Sequence, residues 1–402
     1  MSPHVPTAVQ QAPRGSLFYD PKVRGLVYQA ALIAAVAFLL YEASTNAIDN
    51  LRRAGIASGF GFLDNTSGFD ISQTFIPYSA AGSTYGEAFV VGLLNTLIVA
   101  AIGIVLATFL GFTVGVARLS TNWIINKLAT IYVEVIRNVP LLLQLLFWYN
   151  AVLASLPAPR DSISVGTSFF LNNRGLIMPK PVLDERAWLV PTFLAISIVA
   201  AIAFRVFARR EQEATGRQYP VGLVVLGLIL GLPALAWIFL ALTGGNPITF
   251  DLPQRSRFNL TGGTTILPEF VALLVGLVTY TAGFIAEVVR AGILAVSRGQ
   301  TEAANALGLR PGPTLRLVVI PQAMRVIIPP LTSQYLNLTK NSSLAVAIGY
   351  PDLVQVFMGT VLNQTGQAIE VVTITMAVYL TISLVTSFIM NIYNRRVAIV
   401  ER

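Results

Sequence analysis

The chain has 402 residues, a net charge of +8, 54% hydrophobic residues and only 11% charged ones. A soluble domain carries about a quarter charged residues, so this composition, with a mean hydropathy of +0.69, excludes an ordinary water-soluble globule and predicts a bilayer protein. With no cysteine and one histidine, His4, thiol, disulfide and iron–sulfur chemistry are excluded, and neither a zinc site nor a Ser-His-Asp triad can be assembled.

The first 20 residues, punctuated by Pro3, Pro6, Pro13 and Gly15, lack an apolar run and read as a flexible cytoplasmic tail. No cleavable signal peptide is evident, because the first apolar run leads into Tyr41-Glu42 and not a small-residue cleavage site. About 20 apolar residues cross the hydrocarbon, and charge-free windows of that size predict eight spans. They lie at about 26–43, within 88–117, and at about 128–156, 187–207, 220–242, 268–289, 322–350 and 371–394. Pro140 removes an N–H from the third span and disfavours helix at Val139, which predicts a break there. Pro329-Pro330 predict a second break, in the seventh span.

Lys and Arg placement orients these spans. With both termini inside, most positive charges fall on the cytoplasmic side; Arg52, Arg53, Arg160, Arg174, Lys180, Arg186, Arg255 and Arg257 stay outside, mostly in longer loops where the bias is weaker. The charge is therefore topological, not a phosphate-binding stripe, and no nucleic acid is expected as a partner. Outside, 45–87 is expected to lie along the membrane face as short irregular pieces. The Pro- and Gly-punctuated segments 157–186 and 243–265 read as loops that cap the bundle or meet an external partner.

The segment 297–321, SRGQTEAANALGLRPGPTLRLVVIP, lies inside in this orientation. Ser297 and Gln300 have capping-box spacing, Glu302 is expected in the first turn, and Ala303, Ala304, Ala306 and Leu307 favour helix. Gly308 suits a left-handed C′ position, and Pro311 and Pro313 forbid continuation. The spacing predicts a helix of about ten residues, too short to stand alone in water and so seated on something else.

Glu302-Ala303-Ala304, Gly308, Val318, Ile320 and Pro321 resemble the EAA loop of ABC-importer permeases. Ala286-Glu287 with Arg290, Gly292 and Ile293, then Pro321-Gln322-Ala323 and Lys340-Asn341-Ser342-Ser343-Leu344, extend the likeness to the polar amino-acid branch. A second stretch, from Gly92, Thr96 and Leu97 to Tyr132, Glu134, Arg137, Pro140 and Gln144, is similar to the opening of the same permeases; Arg137-Asn138-Val139-Pro140 stands where they carry R-G-T-P.

The resemblance implies an all-α polytopic membrane protein whose five-helix core is spans two, three, six, seven and eight. Span one and the hairpin of spans four and five are additions, an arrangement most like the general L-amino-acid permease branch. The implied divisions are 1–25 (tail), 26–87 (extra helix and external loop), 88–156 (first core part), 157–267 (insertion) and 268–402 (second core part). It also implies a bacterial inner-membrane importer subunit, with Gly299, Gln300, Glu302, Ala303, Ala304, Leu307 and Gly308 coupling it to an ABC ATPase dimer. The other implied partners are a second permease subunit, identical or homologous, and a periplasmic amino-acid-binding protein.

Ionisable groups inside apolar spans are functional candidates by default. Glu134 and Arg137, and Glu287 and Arg290, are each three apart on one helix face and can pair with one another. Such pairs either meet the ammonium and carboxylate of an amino acid or fix helix packing at an inner gate. Asn95 reads equally as an interhelical hydrogen bond or a substrate contact. Lys340, with Asn341, either lines the pathway or snorkels to the outer surface.

No lysine sits in Gly-x-x-x-x-Gly-Lys-Ser/Thr: Lys22, Lys127, Lys180 and Lys340 precede Val, Leu, Pro and Asn. No cofactor is expected in this chain, and ATP and Mg²⁺ would be held by the partner. The competing reading is a transporter driven by an ion gradient alone, which predicts inverted repeats and midplane carboxylates. Only the paired Glu-x-x-Arg phrases answer to that.

Overall fold

The computed structural model describes residues 21–53, 59–243, 248–255 and 260–397. The expected tail with His4, together with Arg257 and Arg402, lies outside the described residues. The helices are α1 (Pro21–Arg53), α2 (Tyr85–Ala117), α3 (Trp123–Asn138), α4 (Leu141–Leu153), α5 (Leu189–Thr215), α6 (Val221–Leu242), α7 (Pro268–Leu294), α8 (Arg298–Ala306), α9 (Pro311–Ile348), α10 (354–365) and α11 (Ala368–Val397). Seven are long and apolar enough to cross a membrane, and the bent pair α3–α4 makes an eighth span. All eight expected spans are found.

The centre of the molecule is the parallel pair α2 and α7. Small residues on α2 let the backbones approach, as in membrane helix pairs generally. A Cβ placed on Gly111 would come 2.6 Å from Cβ of Ile285, and one on Gly115 would come 2.8 Å from that of Val289. Around this seam α4, α7 and α9 bury Leu145, Leu273, Leu277 and Leu338. The outward faces are apolar and exposed, for example Phe109 and Phe388, as lipid requires. The start of α2 is fixed by a formed capping box, Thr84 Oγ1 accepting from the Glu87 N–H and Glu87 Oε2 from the Thr84 N–H.

The third span does break where Pro140 predicts, and it turns by 106°. The carbonyls of Ile136 and Val139, left without helical donors, are both taken by Gln144 Nε2 at 2.9 Å. A side chain thus supplies what the proline withdrew. The seventh span behaves differently. Its expected break at Pro329-Pro330 is absent: helix runs unbroken from Ile320 to Asn341, with Ile327, Ile328 and Leu331 buried. Both prolines are themselves exposed; their fixed φ is already helical, and the buried Ile327, Ile328 and Leu331 beside them hold the helix through. The irregularity falls instead in the π-turn Leu315–Val319, just ahead of Pro321. Past α9, the helix α10 fills the stretch between the seventh and eighth spans; it stands on buried Asp352, whose Oδ1 accepts from the Gln355 N–H at 2.8 Å.

The segments 157–186 and 243–265 are not irregular loops. They hold β1 (Ile163–Val165), β2 (Phe169–Asn172), β3 (Gly175–Met178), β4 (Lys180–Leu183), β5 (Ile248–Asp251), β6 (Gln254–Arg255), β7 (Leu260–Thr261) and β8 (Thr264–Ile266). An antiparallel sheet runs β1-β2-β3-β8, and β4-β5 and β6-β7 form ribbons. β3–β8 and β4–β5 pair across the whole length of α5 and α6, which local pattern reading does not see. Helices α5 and α6 pack chiefly on each other, and α1 is exposed along its length.

Three substitutions test this account by thermal unfolding in detergent. Gly111→Ala is expected to cost about 1–3 kcal/mol as α2 is forced off α7, while Gly227→Ala in α6, where an added Cβ meets nothing within 4 Å, leaves the midpoint unchanged. Gln144→Leu strands two carbonyls and is expected to cost about 1–3 kcal/mol.

Candidate functional site

The segment 297–308 is built as the short helix α8, closed at its C-terminus by a Schellman turn. The Leu309 N–H donates to the Ala304 carbonyl at 3.1 Å and the Gly308 N–H to that of Asn305 at 2.9 Å. This requires the left-handed backbone of Gly308, φ +76°, which a side chain disfavours. Pro311 both ends this stretch and opens α9, a position where its missing N–H costs nothing.

The N-terminus departs from expectation. Ser297 makes no side-chain cap, and Gln300 does not reach back to it. The carboxamide oxygen of Gln300 instead accepts from Gln322 Nε2 at 3.2 Å, tying α8 to α9. Because α8 begins at Arg298, Glu302 falls in the second turn and not the first. Ala304 is buried as the seat of the helix, whereas Gly299, Gln300, Glu302, Ala303, Leu307 and Gly308 are exposed. Leu307, at 82% exposure, is an apolar side chain held out from a rigid end.

The intramembrane charges converge on a single carboxylate. Glu287 Oε1 accepts from Arg290 Nη2 at 2.6 Å and Nε at 3.2 Å, and its Oε2 is bonded by Arg118 Nη1. Arg137 Nη1 stands 3.8 Å from Oε2, with its guanidinium over the Phe284 ring at 5.1 Å. The expected Glu287–Arg290 pair is therefore present. The expected Glu134–Arg137 pair is not: Glu134 is exposed and makes no ion pair among the described residues, because Arg137 turns to α7 just ahead of the break. One acid thus joins the C-terminal end of α2, the last turn of α3 and α7.

The other candidates lie elsewhere. Asn95 is fully buried, and its Nδ2 donates to the carbonyls of Pro351 at 2.8 Å and Gln73 at 3.0 Å, so its amide ties α2 to two turns. Lys340 is exposed and Asn341 half-buried. Ile327 packs at Gly292, near the level of the Glu287 cluster, which puts Lys340 about 20 Å further along α9.

The comparisons match this architecture. The model of the "Binding-protein-dependent transport system inner membrane component" family matches residues 216–399. The chain is 52% identical over 387 residues to the general L-amino acid transport system permease protein AapQ of Rhizobium johnstonii, covering 96% of this chain and 95% of that one. It belongs to the binding-protein-dependent transport system inner membrane components. Identity is also 52% to the putative amino-acid ABC transporter permease protein YhdX of Escherichia coli K12, over 97% of this chain and 98% of that protein. A third relative is the glutamate/glutamine/aspartate/asparagine transport system permease protein BztB of Rhodobacter capsulatus, 42% identical over 96% of each chain.

In this inner membrane component, sequence reasoning missed Arg118, which was read only as a charge marking topology. The available signal was its position: it follows directly on the uncharged helix α2 and so stands where α2 and α7 end together. Glu287→Gln would leave three guanidiniums crowded round a neutral amide. The expected loss is about 2 kcal/mol, between the values for exposed and buried pairs, while Glu134→Gln leaves the unfolding midpoint unchanged.

Proposed function

We propose that the chain is the membrane-spanning subunit of an ATP-driven importer that carries L-amino acids to the cytoplasm, with both termini inside. It works with an ABC ATPase dimer, a second permease subunit and an extracytoplasmic binding protein. The ATPases hold ATP and Mg²⁺. The relatives that match over nearly the whole chain are amino-acid transport permeases, which supports the substrate class.

One observation carries the coupling role: α8 is a rigid, partly seated helix whose exposed side presents Ala303 and Leu307 one turn apart. Shifting a two-state equilibrium from 1:99 to 99:1 takes about 5.5 kcal/mol of differential interaction, which a frayed tether does not deliver. The Schellman turn, the buried Ala304 and the Gln300–Gln322 bond make α8 stiff. Movement of α8 then passes directly into α7 and α9, which flank it in the chain. From α7 it reaches α2 and α3 through Glu287, so the inner ends move together. Arg137, the most distant of the three guanidiniums from the carboxylate at 3.8 Å, is the member that releases as the inner end opens. Arg137 and Arg290 are also the groups that face an amino-acid carboxylate passing inward.

The test is co-expression with the cognate ATPase. Leu307→Asp and Gly308→Asp are expected to abolish co-purification of the ATPase, or to leave ATP hydrolysis no longer stimulated by loaded binding protein, with the permease still folded in the membrane. Amino-acid uptake by the purified chain alone, driven by an ion gradient, would overturn the reading.

A further inference from the structure

The ribbon β4–β5 carries a pattern that transport does not use. β4 leads within a few residues into α5, and α6 ends shortly before β5, so the ribbon stands directly on one end of the α5–α6 hairpin. In its register Pro181 lies opposite Phe250, Lys180 opposite Asp251 and Val182 opposite Thr249. Successive residues of a strand point to opposite faces. Pro181 and Phe250 therefore share one face, while Lys180, Asp251, Thr249 and Val182 share the other.

The first face is apolar and uncovered. Phe250 is 60% exposed, and Leu252, just past the strand, 49%. A two-stranded ribbon is marginal by itself in water, and an exposed ring on its face makes it more so. At its foot stands Trp188, also exposed, and a mainly apolar cleft lined by Trp188, Pro191, Trp237 and Ile248, together with Asp184 and Glu185, joins ribbon to hairpin. Below that, Phe239 and Leu242 are exposed at the end of α6. The apolar surface is thus continuous from a helix that crosses the hydrocarbon to the ribbon's face, and its aromatics cluster where the hairpin leaves the membrane. Trp and other amphipathic rings favour that boundary.

We propose that the β4–β5 ribbon lies on the bilayer surface at that end of the hairpin. Phe250, Pro181 and Trp188 enter the boundary between headgroups and acyl chains, and the Lys180–Asp251 row faces water. The occupant of the face is phospholipid, because the surface leading to it is the hairpin's own lipid-facing side. The ribbon then fixes the depth of α5 and α6, and does so whether or not the chain transports amino acids.

The absence of cysteine gives a direct test. Phe250→Cys and Thr249→Cys provide single labelling positions on the two faces of an exposed strand. Each full-length variant is labelled with the fluorophore NBD and placed in nanodiscs of phosphatidylethanolamine and phosphatidylglycerol. Quenching by doxyl groups carried just below the lipid headgroups is compared with quenching by aqueous iodide. The label at 250 is expected to be quenched several-fold more by lipid than by iodide, and the label at 249 the reverse. Equal iodide quenching at both positions would show a ribbon standing in water and overturn the proposal. Protection of position 250 from both quenchers would overturn it as well, by assigning the face to protein. Since no transport is measured, a failed coupling role and a failed lipid contact are told apart.

Discussion

Water is missing where most of this chain resides, and every peptide group or charge at that depth has to be answered from within the protein. Helices answer most of the peptide groups automatically. Two of the exceptions have partners that can be named. Pro140 interrupts the third span, and the Gln144 carboxamide closes over the two carbonyls it exposes. Glu287 sits in an apolar helix, and guanidiniums from three helices gather on it. These two arrangements meet at the same place, because Arg137 lies in the last turn before the break. Both therefore act at one joint of the bundle, where α2, α3 and α7 must keep their relative positions.

The small-residue seam between α2 and α7 serves the same end by other means. With glycine at the crossing points, the helices approach until backbone touches side chain, and a dispersion-rich contact replaces the hydrophobic drive that lipid cannot provide. The seam supplies closeness along the length, and the Glu287 cluster supplies register at the C-terminal ends of α2 and α7. A displacement of α7 is therefore shared by α2 without a flexible intermediary.

How much of this was legible depended on how local the determinant was. The spans were, because crossing the hydrocarbon demands a run of apolar residues that depends on nothing else. The end of α8 was too: a glycine followed at short distance by proline has few other solutions, and Gly308 and Pro311 adopt the expected ones. The capping box at Ser297 failed because Gln300 had a competitor, Gln322, invisible from spacing alone. The Glu134–Arg137 pair failed for a related reason: a 106° turn put Arg137 within reach of a carboxylate on another helix. The strands escaped notice since each is two to four residues long, and β3–β8 and β4–β5 pair across the intervening hairpin. The branch likeness was secure because its motifs are many and ordered along the chain, whereas the role of Arg118 needed three helices in place.

The inserted hairpin enters and leaves through strands that pair with each other, β4 with β5, and β3 with β8 close by. Such a closure works like a zip-fastener at the neck of a pouch. The two chain ends on its inner side are held a strand's width apart, whatever length is sewn in beyond it. An ancestral bundle would gain or shed such an appendage with its own threading intact, and this gives a physical reason why a five-helix importer frame tolerates an extra pair of helices at that point and not within the α2–α7 seam.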